Sequence, residues 1–171
     1  MKAFYKQLIS TFELPANQAL FTIQGIAPVQ YIDIYAGQDQ FEENFELFAR
    51  PALLLDWDID HETKPSTATI TLYCCYEQLR DTSNISQNRE LGLNFLDYIN
   101  IIDGIVRTVE SKETGKLELV SEGFNKMDSI VDIYLFTYKC RFEGRKNPLQ
   151  KDYEAGSYDT LDLTSNLIEF D

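Results

Sequence analysis

Three carboxylates at alternating positions, Asp56, Asp58 and Asp60, are the residues of this chain whose spacing most invites chemistry. They close the stretch Arg50 to Asp60, read as RPALLLDWDID. Side chains of a strand repeat their facing every second residue, so the three acids share one face while Trp57 and Ile59 share the other. Like charges aligned on a face repel, and such a column persists only where water, a cation or a basic partner screens it. A calcium site needs oxygen ligands gathered about a point, usually on a loop with a glycine turn, and the EF-hand pattern is absent. A catalytic carboxylate pair needs a pocket that drives the two pKa values apart, and no such pocket is signalled. The remaining readings are a solvated face, the lumen or rim of an oligomer, or a face for a basic partner.

Other chemistry is thinly supplied. The single histidine, His61, follows the acidic stretch next to an expected turn, where it reads as an exposed turn residue and not as the base of a nucleophile. Zinc sites need several Cys or His ligands at fixed spacing, and the chain has three cysteines without a Cys-x-x-Cys. Cys74 and Cys75 fall on opposite faces of one strand, so Cys74 is expected in the core and Cys75 at the surface or an interface. A disulfide between them would be strained. Glycine-rich phosphate loops and dinucleotide fingerprints are absent. No catalytic, cofactor or metal site is expected, and no enzymatic activity.

Bulk composition bounds the rest. At 171 residues, 44% hydrophobic and 13% aromatic, the chain suits one packed domain with an additional arm. A net charge of -13 argues against a nucleic-acid-binding surface, which needs clustered Lys and Arg. The start MKAFYKQLISTF lacks the pattern of a signal peptide, and no apolar run is long enough for a membrane span. The expectation is a soluble protein made in a reducing cytoplasm, without membrane contact.

The elements that must position these residues read as follows. Phe4, Leu8 and Phe12 form one stripe of a short helix over Lys2 to Phe12, which Pro15 is expected to end. Residues 16 to 30 are ambiguous, with Ala19 to Ile23 suited to a short strand and Gly25 with Pro28 to a turn. Tyr31 to Tyr35 reads as a strand closed by Gly37, and Gln38 to Glu46 as an acidic loop. The alternation over Thr67 to Tyr76 places Ala68, Ile70, Leu72, Cys74 and Tyr76 on one face. Lys64, Pro65 and Ser66 then make the turn of an antiparallel hairpin with the acidic strand. Ser86 to about Val109 reads as a long helix, with the stripe Leu91, Phe95, Ile99, Ile102, Val106 and Val109. Leu93, Leu96, Ile101 and Ile105 widen it toward burial on more than one side. Strands follow near Lys116 to Phe124 and Ser129 to Phe142, the latter facing Ile130, Tyr134, Phe136, Tyr138, Cys140 and Phe142 one way. The expected fold class is α+β, a mostly antiparallel sheet packed by one long and one short helix. The domain spans 1–144, and 145–171 forms an extended acidic C-terminal arm. In that arm Tyr153, Tyr158, Leu161, Leu163, Leu167, Ile168 and Phe170 are expected to contact a neighbouring subunit or partner.

The order of these elements resembles the tail-terminator (tail completion, head-tail joining) proteins of tailed bacteriophages, particularly those of Bacteroides-type phages. The residues carrying the resemblance are Tyr31-Ile32-Asp33-Ile34-Tyr35 with Gly37-Gln38, Pro51-Ala52-Leu53-Leu54-Leu55-Asp56-Trp57, Ala68-Thr69-Ile70-Thr71-Leu72, Leu96-Asp97-Tyr98-Ile99-Asn100 and the strand Tyr134 to Phe142. They cover roughly residues 1–144. The resemblance implies a virion protein, assembled in the host cytoplasm, that forms a homo-oligomeric ring, commonly a hexamer. Such a ring caps the tail tube, binds the tail tube protein and the head-tail connector proteins, and lets DNA pass without specific binding. It implies neither cofactor nor catalysis. Asp56, Asp58 and Asp60 would then face the lumen or rim. Two other readings compete: a different neck component, a stopper or adaptor, and an acidic DNA mimic that blocks a nucleic-acid enzyme.

Overall fold

The computed structural model describes residues 1–76 and 82–144, so the arm 145–171, with its contact residues Tyr153, Tyr158, Leu161, Leu163, Leu167, Ile168 and Phe170, lies outside the described residues. The chain runs α1 (Lys2–Phe12), α2 (Pro15–Ile23), β1 (Tyr31–Ile34), β2 (Ala52–Asp60), β3 (Ser66–Cys75), α3 (Arg89–Val106), β4 (Glu118–Phe124) and β5 (Ile133–Phe142). The strands form one sheet in the order β1-β2-β3-β5-β4. β1 lies parallel to β2, and the other neighbours are antiparallel. The class is α+β, as the alternating strands and two amphipathic helices imply.

All three helices pack on one face. There Phe4, Leu8 and Phe12 of α1, Phe21 of α2 and Phe95, Tyr98, Ile102 and Ile105 of α3 meet the inward residues of β2, β3 and β5 in one core. The opposite face carries a smaller cluster, Phe48, Ala52, Leu54, Cys75 and Ile133. Its lid is the crossover from β1 to β2, wound into two 3-10 turns, Gln38–Gln40 and Glu42–Phe48, where a plain acidic loop was expected. This arrangement explains the leucine run of β2. Leu53, Leu54 and Leu55 are each fully buried because that half of the strand is covered on both faces. From Asp56 onward only the helical face is covered, and strict alternation begins.

Several expectations are corrected. Pro15 does not merely end α1; it opens α2 at a position where its missing N–H costs nothing, so Ala19 to Ile23 is helix and not strand. Cys75 is fully buried under Phe48 and is not a surface residue. α3 starts at Arg89; Ser86 lies in the preceding turn, its Oγ accepting the Asn88 N–H at 2.9 Å. The helix is buried on one side only. Leu96 points away from the arc of Phe95, Tyr98 and Ile102 and is 44% exposed, and Leu91 in the first turn is 58% exposed. β5 starts at Ile133 because residues 126–132 turn toward the lid, where the Ile130 N–H donates to the Asp39 carbonyl at 2.9 Å. Ile130 accordingly packs on the smaller cluster and does not share the face of Tyr134.

Two long-range polar contacts tie the layers. α1 has no capping side chain of its own, and Glu113, from the segment after α3, accepts the Ala3 N–H at 2.8 Å and pairs with the Met1 ammonium at 2.7 Å. These contacts satisfy donors that a helix start otherwise leaves open. Tyr138 of β5 donates to Asp103 of α3 at 2.8 Å, and Arg107 holds the same carboxylate.

Candidate functional site

The half of the outer sheet face that the lid leaves uncovered is built by the register. Asp56 lies level with Thr71 and Thr137, Asp58 with Thr69 and Lys139, and Asp60 with Thr67 and Arg141. Directly opposed residues of antiparallel strands share a face. The bare half is therefore a column of three carboxylates on β2, a column of threonines on β3, and a column on β5 that ends in two cations. The three aspartates are exposed, as are Lys139 and Arg141.

Strands lie roughly 4.8 Å apart, so the acidic and basic columns are separated by roughly 10 Å. At that distance in water two unit charges attract by only about 0.4 kcal/mol. None of the three aspartates forms an ion pair among the described residues. Asp56 accepts its neighbour's N–H, that of Trp57, at 2.8 Å, and Asp60 accepts the Glu62 N–H at 2.7 Å. Two of the three carboxylates thus bond nearby backbone amides instead of converging. Among the described residues no group of three or more His, Cys, Asp and Glu is placed to hold a metal ion.

At its other end the bare half meets Tyr35 and Tyr73, whose rings stack at 4.0 Å and 8° beside the lid. Beneath this step lies Asp39, only 2% exposed, which the sequence placed in an acidic loop without distinction. Burial, and then the Asp39 carboxylate, push the Tyr35 hydroxyl up to about 12. A buried acid in a surface loop leaves no periodic trace. Lys139 and Arg141 were legible in principle, since they alternate with Tyr138, Cys140 and Phe142.

The remaining reactive residues are not brought together. His61 is exposed in the β2–β3 turn, its Nδ1 3.0 Å from the Ser66 Oγ. All three cysteines are free and buried. Burial pushes the Cys75 thiol from 9.0 to about 12 and Cys140 to about 11, and raises Cys74 well above its ordinary value. Thiolate is the reactive form, so the native protein should not react with a disulfide reagent at pH 8, whereas three thiols should appear in denaturant. Because these folded values are raised, their stabilisation is complete below pH 9 and is lost as pH climbs toward 12. Thermal melts between pH 8 and 11 should show that decline.

No protein-family model matches the chain, and no curated protein matches its sequence. No helix among the described residues is long and apolar enough to cross a membrane.

Proposed function

We propose that this protein is a structural virion subunit that forms a ring at the head-proximal end of a phage tail, capping the tail tube and joining it to the head connector. The observation that carries the reading is the bare half-sheet, where Asp56, Asp58 and Asp60 stand exposed in an unbroken column without an ion-pair partner among the described residues. The carboxylate side of this face repels phosphate, which suits a duct that DNA must traverse without sticking, while Lys139 and Arg141 stand two strands away. The resemblance of the β1, β2, β3, α3 and β5 segments to tail-terminator proteins supports this reading.

Ring closure requires two different patches on each subunit that meet across a repeated interface. The chain offers exposed apolar side chains on both sides of the sheet. Leu20 and Ile23 lie on the helical layer, at 45% and 81% exposure, and Phe41 and Phe45 on the lid, at 52% and 62%.

Negative-stain microscopy of the purified chain, alone and with tail tubes, should show closed rings seated on tube ends. A strictly monomeric chain that binds neither tubes nor connector would overturn the proposal. Virions carrying Asp58→Lys with Asp60→Lys should release DNA more slowly, while the isolated protein melts within about 3 °C of the parent, because exposed charges contribute little to stability. A large fall in melting temperature would instead make the column a structural element.

A further inference from the structure

The crossover lid and the β4–β5 turn enclose a cleft of about 680 Å³, its walls including Asp39, Glu42, Asp128, Lys126, Met127 and Ile130. Three carboxylates against one ammonium give this cleft a negative balance. Asp39 is the unusual member. It is 98% removed from solvent, being 2% exposed, and its Oδ1 has no hydrogen-bond partner. Its backbone is fixed by the Ile130 N–H, and its carboxylate neighbours are the Tyr35 and Tyr73 hydroxyls. A buried carboxylate oxygen without a donor is costly and calls for an explanation.

The missing counter-charge is not a metal ion by the donor set, since no three ligating side chains converge among the described residues. An organic cation needs no such convergence; it needs negative potential and room. The surroundings further select a cation carried on a protein. Met127 at the cleft is 76% exposed, Phe41 next to it in sequence is 52% exposed, and Phe45 borders an adjoining cleft of about 420 Å³ with Phe48, Ile130 and Val131. Exposed aromatic and methionine side chains beside an acidic cleft fit an apolar segment that presents one basic side chain.

We propose that this cleft receives a lysine or arginine side chain of a protein partner, with Asp39, Glu42 and Asp128 as its counter-charges and Phe41, Phe45 and Met127 as the apolar rim. Seated there, the cation adds a counter-charge to a carboxylate that the free chain compensates only through the Tyr35 hydroxyl. The inference does not rest on the acidic column; it rests on the lid and the β4–β5 turn, and it shares Phe41 and Phe45 with the apolar patch proposed for ring closure.

The test is an NMR titration of the ¹⁵N-labelled full chain with acetyl-Leu-Arg-Leu-amide, using acetyl-Leu-Gln-Leu-amide as the uncharged control. The arginine peptide should give saturable shifts confined to residues 38–48 and 126–132, and the control should not. Asp39→Asn should weaken binding about fivefold or more, while the free variant melts at the parent temperature or a few degrees above it, since a neutral amide is cheaper to bury. If Asp39→Asn does not fold, the double variant E42Q/D128N, at two exposed positions, reads the same loss of affinity. Equal shifts with both peptides, or undiminished binding by either variant, would overturn the proposal. Calcium chloride reproducing the shifts in place of the arginine peptide would overturn it as well, by assigning the cleft to an inorganic cation.

Discussion

Replacing Tyr98 by alanine is expected to remove about 3–5 kcal/mol of stability, and replacing it by phenylalanine to add about 1 kcal/mol. The first value follows from position. Tyr98 is fully buried where α3 crosses the sheet, with its ring 4.6 Å from Tyr76, 5.8 Å from Phe21 and 6.5 Å from Phe95. Truncation empties the centre of the aromatic cluster, and whole-domain stability is only about 5–15 kcal/mol. The second value follows from the hydroxyl, which is buried without a hydrogen-bond partner. Tyr138 provides the internal comparison. It is equally buried, but its hydroxyl donates to Asp103 at 2.8 Å, so Tyr138→Phe should lose about 1 kcal/mol where Tyr98→Phe gains it. Urea unfolding of the three variants settles the signs. A destabilised Tyr98→Phe would mean that its hydroxyl does have a partner in solution.

Cys75→Lys is expected to cost more than about 4 kcal/mol, while Thr69→Lys should stay within about 0.5 kcal/mol of the parent. Both residues lie on β3 and face the same side of the sheet. Cys75 is sealed by Phe48, Ala52, Leu54 and Ile133, so the longer side chain overpacks the cluster and its ammonium loses water, a cost that the nearby Asp39 carboxylate offsets only in part. Thr69 stands in the bare half between Asp58 and Lys139, where a lysine remains hydrated and the facing acid offsets the facing cation. Comparable midpoints for the two variants would show that the lid does not cover the sheet in solution.

The same pair marks how far the sequence could be read. Period-two alternation gave β3 its two faces and put Cys75 opposite Cys74, but alternation says nothing about whether the second face is covered. The cover comes from Phe48, distant in sequence and embedded among acids, where no amphipathic period announces it. A signal was nevertheless present in β2. Leu53, Leu54 and Leu55 cannot alternate, and three consecutive buried leucines require a cover on each face. The helix at Pro15–Ile23 was missed for a different reason: proline serves equally as a stop and as a first helical residue, and only Phe21 of that helix is buried. α1 and the facing of Asp56, Asp58 and Asp60 were fully legible because each is a local period. Asp39 was not, because its burial is made by the Tyr35–Tyr73 step and the turn at residues 126–132, which no local period announces.

The contact between Ala3 and Glu113 spans 110 positions of the chain. During synthesis the first turn of α1 emerges long before the carboxylate that receives its amide, and the strands that back Phe4, Leu8 and Phe12 also come later. α1 is therefore made well before the residues that complete it. The nascent chain must carry an uncovered Phe-Leu-Phe stripe until Glu113 and β5 have been translated.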